Sequence, residues 1–543
     1  MKTLKALCSI LVLSFMILFI TSCNEETTGV IGDFTVTLFK TAVEVNTTYV
    51  DSLEHELYND NLRSYIVVEN TDEDGETTEV TRAAVTIVKP TVADKDSEGN
   101  PIENPEIPRE MTGNKVTISN LTEGTEYTLK LIVTANKKQF VLKTKTIVTL
   151  DTGENEKEPI VINTLQELVG MNKDNDAYYK LGADIVIDGT LATVFNSSTI
   201  FKGHFDGDGH TISGYTIASN NYAGLFGNMY GATVKNLKLK DVKYETSRGE
   251  MLLGALSGYA KNCTIENVTV ENFTVTYSGR SSSTAVIGGL VGEAENSTIT
   301  NCYVKNADIK VNSAQLRIKV GGFVGVNDLS LIDNCSVDGK LYANITYNAN
   351  TDGALLLGGF VGVNDSNKGV NNSTAKVNIE VVEPSSVTSS GVKTFRLAVG
   401  GFAGANETYH NKLLNCVAFG DIKVSALFTH NVFVGGIVGD VSDAGVALLE
   451  NCVYKAKENG IKVSFMKIAE DKEQKDIEQT AYVSLTVGRA ENNAASITNV
   501  IAYNTTENAL LVIENEHLNV VITDSVESNS LEGFNAAIKN FLA

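Results

Sequence analysis

The sequence predicts an all-β protein: a sandwich of short antiparallel strands over residues 33–150, then a solenoid of parallel strands over 161–530, closed by short helices. Three observations carry that reading. A small-residue motif returns at steps of 31, 34, 33, 37, 42 and 35 residues, short stretches of alternating apolar residues lie between its copies, and Pro384 is the only proline after Pro159. A fixed period of this size marks a repeat architecture, and uninterrupted strand ladders exclude proline. At 543 residues the chain is also too long for one ordinary core.

Composition narrows the class. With 43% hydrophobic and 20% charged residues the chain is a folded one. Its formal charge of -22 excludes attraction to nucleic acid or to an anionic membrane surface. At the N-terminus, Lys2 and Lys5 precede the apolar run LCSILVLSFMILFI and then Ile20-Thr21-Ser22-Cys23, so residues 1–22 read as a signal peptide. The ending resembles the lipobox of bacterial lipoproteins, which implies cleavage before Cys23, its acylation, and a lipidated tether over 23–32. Asn24-Glu25-Glu26 resembles the acidic export signal of surface-displayed Bacteroidota lipoproteins. The location these resemblances imply is the outer membrane, lipid-anchored and facing the cell exterior. No later segment reaches the roughly 18 apolar residues of a membrane span.

Residues 33–150 alternate as FTVTLF, SYIVVEN, KVTISNL and EYTLKLIVTA. Leu121-Thr-Glu-Gly124-Thr-Glu-Tyr127 resembles the turn and tyrosine corner of fibronectin type III domains, which implies an immunoglobulin-like β-sandwich. DTGENEKEP, within 151–160, has the charge and lack of apolar periodicity of a linker. Asn163 caps an apolar helical spacing that runs to Met171, and a strand and the Gly/Asp turn FKGHFDGDGH follow. Together they look like the opening cap of a parallel β-helix.

The repeat itself reads AGLFG ending at Gly227, GALSG at Gly258, GGLVG at Gly292, GGFVG at Gly325 and Gly362, GGFAG at Gly404 and GGIVG at Gly439. Its central residue is always large and apolar (Leu225, Leu256, Leu290, Phe323, Phe360, Phe402, Ile437) and is expected to stack inward. The next residue varies from Phe226 to Ser257 to Ala403 and is expected to face outward or into a looser layer. Small residues beside it fit a crowded corner. No helix with Lys-Ser/Thr follows, as a phosphate loop would require. Later in each repeat come Asn236-Leu237, Asn262-Cys263, Asn301-Cys302, Asn334-Cys335, Asn372-Ser373, Asn415-Cys416 and Asn451-Cys452. A second inward ladder follows (Leu239, Val304, Val337, Ala375, Ala418, Tyr454), and then a third strand such as FTVTY or DIKV. Three strands per coil predict a right-handed parallel β-helix, and the apolar spacing of 531–543 predicts a helix capping its last coil. The signature resembles GLUG-motif repeats, which are found in large bacterial adhesins and beside the catalytic domain of IgA-specific metallopeptidases.

The chemistry is sparse. Five cysteines outside the N-terminal segment follow the repeat spacing and match no zinc or redox motif, so they read as buried ladder fillers; disulfides between neighbouring coils are the alternative. Asp206 and Asp208 sit in a glycine turn that lacks the remaining ligands of a calcium loop. Acidic residues look dispersed, with no paired carboxylates for acid–base work, so no catalytic residue, metal or cofactor is assigned. The most variable segments all precede the small-residue strand and are expected to project from one edge. Arg248, Arg280, Arg317 and Arg396 fall in them, the last two at the same offset, and Tyr277 and Tyr347 lie near strand ends. An arginine stripe with tyrosine platforms suits acidic glycans; solubilising charges are the plainer alternative. The expected function is a non-enzymatic cell-surface adhesin or scaffold binding glycans or host and matrix proteins, with the sandwich as a stalk. The alternatives are a β-helix polysaccharide lyase or hydrolase, and a structural part of an envelope assembly.

Overall fold

In the computed structural model the chain divides into two compact units, Met1–Thr149 and Leu150–Ala543. The described residues run from 30 to 522, with gaps that include 52–62, 89–109, 280–283, 314–316, 346–352, 384–394 and 467–479. Cys23, Arg280, Tyr347 and the expected C-terminal helix lie outside them.

The first unit is a sandwich of two antiparallel sheets. One is built on Val30–Leu38 paired with Val43–Asp51, the other on Thr77–Val85, Arg63–Thr71, Glu126–Ala135 and Lys138–Val148 in that order. Alternation turns Phe34, Val43 and Val45 from one sheet, and Ile66, Val68, Leu129 and Leu131 from the other, into a single core. Tyr127 is buried, and its hydroxyl accepts the Thr122 N–H at 2.9 Å, the corner bond its sequence context predicts.

The second unit is a stack of parallel coils. A representative coil runs Thr284–Gly288, Val291–Glu295, Thr298–Thr300 and Tyr303–Ser313, and each strand pairs with its counterpart in the next coil. Four sheets result, which we number in that order; among the described residues they hold nine, eight, eleven and fifteen strands. The expectation of three strands per coil is therefore corrected. The small-residue motif is not one strand but the corner between the first and second sheets. A Cβ on Gly321 would lie 1.9 Å from the Val324 carbonyl oxygen, and one on Gly322 would lie 2.2 Å from that of Gly359. Close backbone approach thus excludes side chains here.

The corner also changes which residues point inward. Leu290, Phe323, Phe360 and Phe402 are buried as expected, with the Phe323, Phe360 and Phe402 rings stacked at 4.6 and 4.7 Å. The following residues, Val291, Val324, Val361 and Ala403, are fully buried too, contrary to the strict alternation assumed for them. An eighth copy, Ser484-Leu485-Thr486-Val487-Gly488, pairs with the Gly435 motif although its leading glycines are gone.

Asparagine forms the corner between the third and fourth sheets. Asn301, Asn334, Asn372, Asn415 and Asn451 adopt φ of 47° to 55°, a left-handed conformation that asparagine tolerates. Their amides stack, Asn334 Nδ2 donating to Asn301 Oδ1 at 2.7 Å and Asn415 Nδ2 to Asn372 Oδ1 at 2.9 Å. In the Gly258 coil this position belongs to Asn267-Val268, because Val270 pairs with Val304. Asn262-Cys263 instead occupies the preceding corner, where the Cys263 N–H donates to Ser297 Oγ at 2.9 Å. The residue after the corner asparagine has a polar task as well as a volume: the Cys302 N–H donates to Cys335 Sγ at 3.4 Å, and the Cys335 N–H to Ser373 Oγ at 3.2 Å. All five described cysteines are buried and free, and burial pushes the Cys263 thiol up to about 11.

At the opening end, the helix Leu165–Gly170 is capped by Thr164 rather than Asn163, in a capping box with Glu167. The expected linker is part of this unit: the Tyr178 N–H donates to the Gly153 carbonyl at 2.9 Å, and Leu150 packs on the β-helix core.

Candidate ligand-binding groove

The first and second sheets meet so that their outer faces confront each other. Along the first sheet the outward register is Leu252, Val286, Lys319, Leu356, Ala398, Phe433. Along the second it is Glu293, Val326, Val363, Ala405, Asp440, Arg489. Val286, Val326, Leu356, Val363 and Phe433 pack across this angle into an apolar cluster separate from the main core. A groove with an apolar floor therefore runs along the coils, at about 4.8 Å per coil.

Its two halves differ in charge. Toward the C-terminal end, Asp440 is fully buried between two arginines: Arg489 forks it at 2.6 and 2.9 Å, and Arg396 Nε donates to it at 2.7 Å. Arg396 also binds Glu407 at 2.6 Å, and the Arg489 guanidinium lies 4.0 Å from the Phe433 ring centroid. Such forked, stacked geometry is where arginine outperforms lysine.

Toward the N-terminal end the groove opens into a cleft of about 460 Å³ lined by Leu252, Val286, Val326 and the carboxylates Glu250, Glu293, Asp328 and Asp365. Lys319 is the cation among them, and it pairs with Glu407 at 3.5 Å. Burial raises the pKa of Glu293, opposed by Lys319 and reinforced by Asp328 and Glu295. Burial, then Glu295, raises that of Asp328. Burial also raises that of Asp365, against the Glu407 N–H that donates to it at 2.9 Å. By contrast Glu295, held by hydrogen bonds from Lys261 and Tyr259, is lowered. The sequence reading that found only dispersed acids is corrected here: they stand on successive coils about 35 residues apart in the chain, and stacking brings them together.

The residues singled out in the sequence fare unequally. Arg317 and Arg396 stand on one ladder of the first sheet, two coils apart with Ala354 between. Arg317 is exposed, whereas Arg396 is committed to Asp440 and Glu407. Arg248 is exposed and hydrogen-bonded to Asn221 at the cleft edge. Tyr277 is not a platform; its ring is fully buried and its hydroxyl donates to the Gly249 carbonyl at 3.1 Å. Alternation from Phe273 through Val275 was the signal for this. Asp206 accepts from the Asp208 N–H at 2.9 Å and from Asn236 at 3.0 Å, and Asp208 pairs with Lys180 at 2.9 Å, so both serve the turn. Among the described residues no group of three His, Cys, Asp or Glu side chains converges on a metal-sized site. The described strands that flank residues 280–283, 314–316, 346–352, 384–394 and 467–479 belong to the fourth sheet on one side and the first on the other.

The fold and groove define a class: an all-β protein built on a parallel β-helix with a ligand-sized outer groove. Residues 283–310 and 318–342 match the family described as the GLUG motif, so the chain carries GLUG repeats. Residues 126–272 match the family described as the M26 IgA1-specific metallo-endopeptidase N-terminal region. No curated protein matches the chain. Among solved structures, a "putative immunoglobulin A1 protease" from Bacteroides ovatus is 15% identical, with 72% of this chain and 89% of that one covered and a TM-score of 0.35. An IgA1 protease is 15% identical, with 87% of this chain but 31% of that one covered and a TM-score of 0.38. A family 28 exopolygalacturonase from Yersinia enterocolitica is 9% identical over 92% and 99%, with a TM-score of 0.17.

Proposed function

We propose that the chain is a cell-surface binding scaffold, lipid-anchored at Cys23, whose β-helix grips an elongated ligand in the groove between its first and second sheets. The observation that carries this is the cleft of about 460 Å³ with its apolar floor and carboxylate wall. Pockets that mix an apolar lining with a few polar groups are the usual binding sites. The ligand favoured is a host or matrix protein, since a carboxylate-lined groove repels an acidic glycan and Arg396 is already neutralised. Similarity to the N-terminal region of IgA1-specific metallo-endopeptidases supports a part in recognising protein rather than sugar.

The test is a host-protein and glycan array with two variants. Val286→Trp, which fills the cleft, should weaken binding at least tenfold, while Tyr342→Ala on the fourth-sheet face should leave it unchanged. Equal binding by all three proteins would refute the groove. Protease treatment of intact cells checks the display, and protection of the chain would contradict it. One observation favours a second reading: Glu293 is pushed toward the protonated form beside a Glu295 held ionised, a division of roles seen in acid–base hydrolases. Product release from polysaccharides by the purified chain would support that reading.

A further inference from the structure

The two halves of the groove are variations on one register, and the closed half shows how its carboxylates are satisfied. There Arg396 and Arg489 lie along the groove, their guanidinium groups fork Asp440 and reach Glu407, and Phe433 supports one of them from below. The open half repeats the floor and the carboxylates without the arginines; the cation in its lining is Lys319, which pairs with Glu407 at 3.5 Å. Among the described residues neither Glu293 nor Asp328 has a basic group within ion-pair distance, and Asp365 accepts one backbone N–H.

We infer that the open half of the groove takes an extended peptide bearing lysine or arginine, whose cationic groups pair with Glu293, Asp328 and Asp365 and whose aliphatic stems lie on Leu252, Val286 and Val326. This inference rests on the groove being the binding surface. Two features favour such an occupant over a single cation. The carboxylates stand on successive coils and do not converge, as a metal ion would need. Asp328 and Asp365 share one register position about 4.8 Å apart, and Glu293 lies one coil back and two residues along its strand, about 8 Å from Asp328; lysines on alternate residues of an extended peptide, about 6.6 Å apart, span these steps with their long stems. The apolar floor suits long stems with charged ends. Burial, with Asp328 and Glu295 beside Glu293 and Glu295 beside Asp328, raises the cost of keeping these carboxylates ionised, Lys319 offsets part of it, and an arriving cation relieves the rest.

Fluorescence anisotropy on the purified full chain tests this with three probes: a labelled dodecapeptide alternating lysine and serine, its glutamate–serine counterpart, and a labelled chitosan hexamer. The lysine peptide should bind saturably, weaken with salt, and lose at least tenfold affinity in the triple variant E293Q/D328N/D365N. Glu380→Gln, on the fourth-sheet face, should leave its affinity unchanged, which separates the groove from the general negative charge. Equal binding of the glutamate peptide, preference for chitosan, indifference to the triple variant, or an equal loss with Glu380→Gln would each overturn the inference. If the lysine peptide fails while an array ligand is still lost in Val286→Trp, the inference falls and the groove reading stands. If Val286→Trp affects no ligand, the groove reading falls as well. Matching thermal melts show that the variants are folded.

Discussion

At the scale of single residues, the slot after each corner asparagine separates volume from hydrogen bonding. Cys335 accepts the Cys302 N–H, and Ser373 performs the same task for Cys335 one coil later. Cys335→Ser should therefore cost less than about 1 kcal/mol, and Cys335→Ala about 1–3 kcal/mol, because a buried donor loses its acceptor. Denaturant titration of both variants checks the order. Asp440 is more demanding. Fully buried between Arg396 and Arg489, it takes the shared carboxylate from both when removed, although Arg396 keeps Glu407, so Asp440→Ala should cost on the order of 3 kcal/mol. A thermal melt within about a degree of the parent would show that the arginines find water instead.

The carboxylates of the open cleft give a signed pH prediction. Their folded-state pKa values are raised above the ordinary 4.5 for Glu293 and 3.8 for Asp328 and Asp365. Such groups favour the fold below their unfolded values, and that contribution is lost as pH rises through the folded ones. E293Q/D328N/D365N should therefore melt higher than the parent at pH 7, and the difference should close as pH falls toward 4. Glu295, whose pKa is lowered, acts in the opposite sense: its stabilisation is present above 4.5 and fades as pH falls through its folded value.

At the scale of the element, the corner between the first and second sheets sets both the core and the groove. The motif was legible because its requirement is local: Gly321 faces the Val324 carbonyl oxygen in its own turn. Gly321→Ala should cost about 3 kcal/mol through backbone displacement, and soluble yield together with the melt reports it. What the motif could not disclose is that its central residue and the one after it both point inward, since that follows from the turn and not from strand alternation. The two asparagines Asn262 and Asn267 were indistinguishable for a related reason. Each sits at a corner with φ near 54°, and only the pairing of Val270 with Val304 tells which corner is which.

At the scale of the molecule, the inward ladders were readable because every coil repeats them, from Leu239 to Tyr454. The groove was not, because its residues differ from coil to coil. Glu293, Val326 and Val363 share a position that shows no pattern along the chain, and acids about 35 residues apart look dispersed until the coils stack them. Function in a solenoid is carried by such variable outward positions, while the constant ones carry stability. The central claim is that ligand occupies the open half of this groove. Hydrogen exchange with and without the lysine–serine dodecapeptide tests it most directly. Protection confined to Met251–Leu253, Thr284–Gly288, Val291–Glu295, Val324–Asp328 and Val361–Asp365 is the predicted result. Protection that falls instead on the fourth sheet, at Tyr303–Ser313 and Ser336–Ile345, would contradict it.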